Sequence, residues 1–165
     1  MTGEEICRAL EEMSRGGAGF EDVLWAAVRM LHESHPRFHW TGIYELGDDN
    51  VLRLGPFVGA PTDHVFIAVG QGVCGTAIAE RRNINVPDVS KASNYLACST
   101  ATRSELVVLI RRGDRIFGQI DIDSHDYDAF DAAASAGVEQ VADFLAGLYA
   151  AQDIPRPPVS GAGDA

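Results

Sequence analysis

The segment 74–123 contains side chains that could form a thiol site for a small polar ligand: Cys74, Cys98, Glu105, Asp121 and Asp123. Cys98 lies in an irregular polar stretch, where a thiol can reach both solvent and substrate. Cys74 opens an expected helix behind Gly-Gln-Gly, and a helix N-terminus favours the thiolate. Alternatively, Cys98 is a buried and unreactive thiol. For Cys74 taken alone, the simpler interpretation is that its side chain packs against a sheet.

The carboxylates follow the alternation of a strand. Asp121 and Asp123 are separated by one residue, so their side chains should share one face. Glu105 begins the preceding strand, and a hairpin would bring it opposite them. Such a group binds a cation or shares a proton, because proximity and burial leave one carboxyl able to donate at neutral pH. Solvation of both aspartates at the end of a strand is the alternative.

Four other residues are interpreted separately. Trp40 and Tyr44 are four residues apart on an expected strand and face the same side, where they would wall a pocket or belong to the core. We call them the aromatic pair. His64 could bind a metal ion together with Cys74 and Cys98, although their spacing matches no known metal motif. Cys7 lies apart near the N-terminus and is interpreted as structural.

The hydrophobic pattern predicts an α+β fold, with antiparallel hairpins between N- and C-terminal helices. We expect residues 1–152 to form one domain and the Pro-, Gly- and Ala-rich segment 153–165 to be disordered. Loop 87–102 carries Cys98 over one end of the sheet. Helices are predicted over 3–13, 20–34, 74–81 and 130–150, and strands over 39–46, 51–57, 65–69, 83–86, 105–110 and 115–121.

Composition excludes several classes of partner. The 13 basic and 24 acidic residues give a formal net charge of -11, which would repel a nucleic-acid backbone. No apolar run approaches the roughly 20 residues of a membrane-spanning helix, and the acidic N-terminus is unlike a signal peptide. We therefore expect a cytoplasmic protein without nucleic-acid or membrane partners. In that compartment three cysteines do not form a disulfide framework.

Several short motifs, taken together, resemble the free methionine-(R)-sulfoxide reductases, which are enzymes built on a GAF domain. The likeness extends from residue 20 to residue 148, and GVCGTA and DIDS are not shared as a set by ordinary GAF sensor domains. It implies a six-stranded antiparallel sheet flanked by helices, usually in a homodimer. The motifs are WTGIY at 40–44, LGPF at 54–57, GVCGTA at 72–77, AC at 97–98, SE at 104–105 and DIDS at 121–124.

The resemblance also implies a mechanism. In that family the cysteine matching Cys98 attacks the sulfur of free methionine sulfoxide, a sulfenic acid forms on the cysteine, and the oxygen ends as water. A second cysteine resolves the sulfenic acid to a disulfide, which thioredoxin or another thiol reductant reduces, so no cofactor is implied. Glu105, Asp121 and Asp123 would polarise the sulfoxide and hold the substrate's ammonium group, while the aromatic pair would enclose its methyl end.

The chain departs from the family pattern at two positions. His64 stands where the family has its usual resolving cysteine, ten residues before the position of Cys74, and Ser99 replaces a common acidic residue. The resolving thiol is then Cys74 or an external one. Alternatively, His64 joins Cys74 or Cys98 in altered chemistry on another amino-acid-like substrate, with a metal ion in one version. A GAF module that binds a small molecule without reaction is the third hypothesis.

Overall fold

The computed structural model describes residues 1–92 and 100–152. Cys98, Ser99 and the segment 153–165 lie outside the described residues. The elements in chain order are α1 (Gly3–Arg15), α2 (Phe20–Ser34), β1 (Trp40–Leu46), β2 (Val51–Val58), β3 (Phe66–Ala68), α3 (Gly72–Glu80), β4 (Ile84–Val86), a 3-10 turn (Val89–Lys91), β5 (Ser104–Arg112), β6 (Arg115–Ser124) and α4 (Ala132–Gln152).

The strands of the described chain form one six-stranded sheet in the order β3-β2-β1-β6-β5-β4. Every neighbouring pair is antiparallel. The predicted α+β fold with a six-stranded antiparallel sheet is therefore confirmed, including both predicted hairpins. None of the described helices is both long and apolar enough to span a lipid bilayer.

Two apolar cores lie on opposite faces of the sheet. Helices α1, α2 and α4 cover one face, which we call the helix face, and α3 covers the other, which we call the site face. Side chains alternate along β6, so Ile120 and Ile122 pack in the core of the helix face while Gln119, Asp121 and Asp123 point to the site face. The polar residues of β6 are thus separated from the larger core by the sheet itself.

The helices follow from local signals and from their apolar stripes. Thr2 and Glu5 form a capping box that begins α1, as Ser/Thr and Glu three residues apart commonly do. In α4, Phe144 and Leu148 are partly buried and pack against the core of the helix face. The buried stripe of α4 also includes two small residues and a tyrosine: Ala142, Ala146 and Tyr149.

Strand β6 continues three residues beyond its predicted end, to Ser124. Its ladder with β1 extends to the pair Trp40 and Asp123, and its ladder with β5 to the pair Ser104 and Ser124. Hydrogen bonding on both sides keeps this end of β6 extended. The alternative in which the aspartates are solvated at a strand end is therefore wrong: Asp121 is fully buried and Asp123 is 2% exposed.

Gln119 is a polar residue of the site face that the sequence analysis did not single out. It lies between Tyr44 of β1 and Leu109 of β5 and has no exposed surface. Neither atom of its side-chain amide has a hydrogen-bond partner among residues 1–92 and 100–152. An unsatisfied buried polar group destabilises the folded state.

We expect the substitution Gln119→Met to raise the free energy of unfolding by about 1–3 kcal/mol, because methionine has a similar length and removes two buried polar groups. Urea denaturation followed by tryptophan fluorescence measures the change. Gln152→Met, at an exposed position on α4, is the matched control and should stay within about 0.5 kcal/mol.

A loss of stability in Gln119→Met would contradict this expectation. It would mean that the amide is hydrogen-bonded in solution, as by a buried water molecule.

Candidate active site

The register of β5 and β6 brings the three predicted carboxylates together. Glu105 and Asp123 are directly opposite each other in the antiparallel ladder, and side chains in such positions begin about 5 Å apart. Asp121 precedes Asp123 by two residues and shares its face. No residue of the three is more than 4% exposed. The sheet therefore holds these three carboxyl groups together at a position from which water is largely excluded, and we call the three residues the acidic pocket.

The first turn of α3 carries Cys74 to this pocket. The helix follows a tight turn after β3, in which the N–H of Gly70 donates to the carbonyl of Gly75 over 2.9 Å. A Cβ atom at position 75 would lie 2.9 Å from the Gly70 nitrogen, so this contact requires glycine. The Cys74 thiol is buried and donates to Glu105 Oε1 over 3.7 Å. Cys74 thus packs against the sheet and also joins the polar cluster.

Cys74, Glu105 and Asp121 form a compact group. The Cys74 sulfur, one oxygen of Glu105 and one oxygen of Asp121 all lie within 4.8 Å of one another. We call these three residues the thiol–carboxylate cluster. A thiol and two carboxyls at these distances can exchange protons, or can surround a single small cation.

Desolvation governs the protonation of the pocket. Burial raises the pKa of Glu105 well above its ordinary value, and the charges of Asp121 and Asp123 raise it further. The pKa of Asp123 is also raised well above its ordinary value, first by burial and then by the charge of Asp121. Burial raises the pKa of Asp121 as well, and the side-chain contacts of Asp121 with Glu105 and Cys74 partly oppose that rise. The pocket therefore retains protons at pH values at which exposed carboxyls have lost them, and it can donate them.

Several carboxyl oxygens of the pocket lack a hydrogen-bond partner among the described residues. They are both oxygens of Asp121 and Oδ1 of Asp123. Buried polar atoms in folded proteins are nearly always hydrogen-bonded, if not to the protein then to water or a ligand. The unpartnered oxygens are acceptors, so the group they fit carries N–H or O–H donors or a positive charge.

The aromatic pair lies on the site face with its polar atoms already engaged. The Trp40 indole N–H donates to the carbonyl of Ala60 over 3.0 Å, and the Tyr44 hydroxyl donates to the carbonyl of His64 over 2.8 Å. The two ring centroids are 6.3 Å apart. Both rings belong to the apolar core of the site face, where Tyr44 has no exposed surface and Trp40 is 6% exposed.

The two aromatic residues stand at different distances from the carboxylates. Trp40 is paired with Asp123 across β1 and β6, whereas Tyr44 is paired with Gln119, two positions further along the site face from Asp121. A Cβ atom on the intervening Gly42 would lie 2.8 Å from Trp40 Cζ3. Glycine at this position therefore lets the indole lie against the strand, next to the carboxylates.

The other predicted site residues have separate outcomes. In the described part of the chain, the side chains close enough together to hold a metal ion are those of the thiol–carboxylate cluster. This cluster includes Cys74 but not His64. Cys98, the predicted nucleophile, lies outside the described residues, so its contacts and the His64–Cys74–Cys98 set stay predictions. The Cys7 thiol lies 3.4 Å from the carbonyl of Gln140 and packs against the helix-face core, and its pKa is raised mainly by burial.

Two buried serines support the end of the sheet that holds the carboxylates. The Ser104 hydroxyl donates to the carbonyl of Asp126 over 2.6 Å, and the Ser124 hydroxyl accepts from the N–H of Asp126 over 3.1 Å. Both serines lie in the motifs at 104–105 and 121–124, but their support of the Asp126 turn was not predicted.

The burial of Gln119 was not predicted either. Its position two residues before Asp121 places it on the same face of the strand, and this spacing could have indicated it.

Comparison with known proteins agrees with this architecture. The GAF domain model matches residues 20–148. The chain is 36% identical over 152 residues to free methionine-R-sulfoxide reductase of Saccharomyces cerevisiae, an alignment that covers 86% of this chain and 82% of the yeast protein.

Two solved structures extend the comparison. A type II free methionine-R-sulfoxide reductase from Thermoplasma acidophilum has 38% identity and a TM-score of 0.75, covering 78% of this chain and 91% of that one. The Neisseria meningitidis enzyme, solved in complex with its substrate, has 29% identity and a TM-score of 0.82, covering 90% and 89%. With its buried carboxylates and its GAF fold, this chain belongs to the free methionine-R-sulfoxide reductase family of GAF-domain proteins.

Proposed function

We propose that this protein reduces free L-methionine-(R)-sulfoxide to methionine, with Cys98 as the nucleophile. The observation that carries the proposal is the buried pocket of Glu105, Asp121 and Asp123, whose unpartnered oxygens suit a small ligand with a positive charge. A free amino acid brings such a charge in its ammonium group. The relatives named as free methionine-R-sulfoxide reductases support the choice of substrate.

The carboxylates divide into two tasks in this proposal. Ionised oxygens of Asp121 accept hydrogen bonds from the substrate's ammonium group, which replaces the water lost on burial. Protonated Glu105 donates to the sulfoxide oxygen, because its raised pKa keeps the proton bound at pH values at which an exposed glutamate is ionised. The apolar ring of Trp40 lies next to Asp123 and is suited to contact the methylthio end of the substrate.

The chemical step transfers oxygen from sulfur to sulfur. The Cys98 thiolate attacks the sulfoxide sulfur, the protonated oxygen passes to the cysteine as its bond to the substrate sulfur breaks, and methionine leaves. Cys98 is oxidised to a sulfenic acid as the substrate is reduced. A second thiol then displaces that oxygen as water and forms a disulfide, which two reducing equivalents from thioredoxin or another thiol reverse.

Cys74 is the internal candidate for the second thiol. Of the two cysteines that the structure describes, it is the one in the pocket, with its thiol donating to Glu105. Cys7 packs on the helix face, on the opposite side of the sheet. By family resemblance we also infer a cytoplasmic homodimer that thioredoxin recycles.

We expect purified protein to consume free methionine-(R)-sulfoxide with dithiothreitol, and Cys98→Ser to lose at least roughly a thousandfold in kcat, since the nucleophile is removed. Cys74→Ser should remain active with dithiothreitol and lose activity with thioredoxin and its reductase. Cys7→Ser is the matched control and should behave as the parent protein does with both reductants.

Full activity of Cys98→Ser would refute the assignment of the nucleophile. Thioredoxin-dependent activity in Cys74→Ser would instead assign resolution to an external thiol.

We expect Glu105→Gln to reduce kcat/KM roughly 100-fold or more, because an amide cannot transfer a proton to the sulfoxide oxygen as the protonated carboxyl does. Glu139→Gln makes the same substitution at an exposed position on α4 and should leave turnover unchanged. In the parent protein, N-acetylation of the substrate removes its ammonium charge and should abolish turnover. Equal turnover of the free and the acetylated substrate would contradict the role given to the carboxylates.

The raised pKa of Glu105 also predicts a pH dependence of stability. Above its ordinary pKa of 4.5 the unfolded chain has lost the Glu105 proton, whereas the folded protein still binds it. The folded state therefore binds more protons above about pH 5, and the free energy of unfolding falls as pH rises until the folded protein also loses the Glu105 proton. Glu105→Gln removes this contribution, so its stability relative to the parent should increase over that range, as measured by urea denaturation. A pH-independent difference would contradict the shift.

A further inference from the structure

We propose that the thiol–carboxylate cluster, Cys74, Glu105 and Asp121, binds a divalent metal ion of borderline softness, such as Zn²⁺, when the pocket holds no substrate. This site differs from the set of His64, Cys74 and Cys98 considered from the sequence. It uses one thiolate and two carboxylates on the site face, and it does not require His64.

The distances within the cluster fit a single ion. Zinc lies about 2.3 Å from sulfur and about 2.1 Å from carboxylate oxygen, so at a tetrahedral angle the two ligand atoms are about 3.6 Å apart. The Cys74 sulfur is 3.7 Å from Glu105 Oε1. The ligand atoms of all three residues lie within 4.8 Å of one another. Small rotamer adjustments are enough to close the remaining distance around one metal ion.

A second observation points independently to a positively charged occupant. Both oxygens of Asp121 have no hydrogen-bond partner among the described residues, and the residue has no exposed surface. Oδ1 of the neighbouring Asp123 also has no hydrogen-bond partner among the described residues. Buried charges are ordinarily paired or coordinate metals, because removing an isolated charge from water is strongly unfavourable.

The ligand set also selects the class of metal. Magnesium and calcium prefer six or more oxygen ligands, whereas a thiolate favours zinc and similar ions. The three side chains leave a fourth tetrahedral position, which a water molecule can fill. The ion would take the place that the proposed function gives to the substrate's ammonium group, so metal and substrate exclude each other. That consequence alone rests on the proposed function.

Cobalt(II) provides a direct test that needs no turnover. Reduced full-length protein without a histidine tag is titrated anaerobically with Co²⁺, while thiolate-to-cobalt charge-transfer absorption is recorded and bound metal is counted by equilibrium dialysis. We expect one ion per chain with charge-transfer absorption, displaceable by Zn²⁺. Cys74→Ser should lose the absorption, and Glu105→Gln should weaken binding roughly tenfold or more, since even indirect partners of a metal site contribute that much.

Three matched variants distinguish this site from its alternatives. Cys7→Ser, Cys98→Ser and His64→Ala should keep the absorption and the stoichiometry. Loss of binding in Cys98→Ser or His64→Ala, or the absence of charge-transfer absorption in the parent protein, would overturn the proposal. Circular dichroism checks that Cys74→Ser is folded, and Glu105→Gln tests the same site without removing the thiol. If the metal binds but methionine sulfoxide is not reduced, the inference stands and the proposed function fails.

Discussion

The antiparallel register of β5 and β6 determines how the site is built. It places Glu105 opposite Asp123 and brings Asp121 onto the same face, in buried surroundings where like charges repel strongly. Such an arrangement costs free energy, which the backbone ladders and the two apolar cores offset. The folded protein therefore maintains a pocket that is more stable with bound protons or a bound cation than when empty and fully ionised.

Small residues determine how closely the other parts of the site approach the carboxylates. Gly75 lets the first turn of α3 lie against the turn after β3, and this contact carries the Cys74 sulfur to Glu105. Gly42 does the same for the Trp40 indole on β1. The geometry of the pocket thus depends on glycine at positions 42 and 75, because a Cβ atom at either position would displace a functional group.

The fold could be predicted from the sequence largely because its signals are local. The apolar stripe of α2 and the polar turns of the two hairpins each indicated one element, and the alternation in β6 assigned Asp121 and Asp123 to one face. Burial was harder to predict. The extension of β6 to Ser124 depends on pairing with β1 and β5, which are distant in sequence, and so does the burial of Gln119. The contact between Cys74 and Glu105 likewise depends on the docking of α3, for which no local pattern exists.

The alternation along β6 has a consequence for folding as well as for binding. Slippage of the strand by one residue would turn Asp121 and Asp123 into the core of the helix face and would expose Ile120 and Ile122 to the polar pocket. Placing two carboxyls in the larger apolar core would be prohibitively unfavourable, so the misaligned sheet cannot compete with the native one. The residues that make the pocket acidic therefore also enforce the correct pairing of the central strands, and a chain that lost them would be freer to misfold.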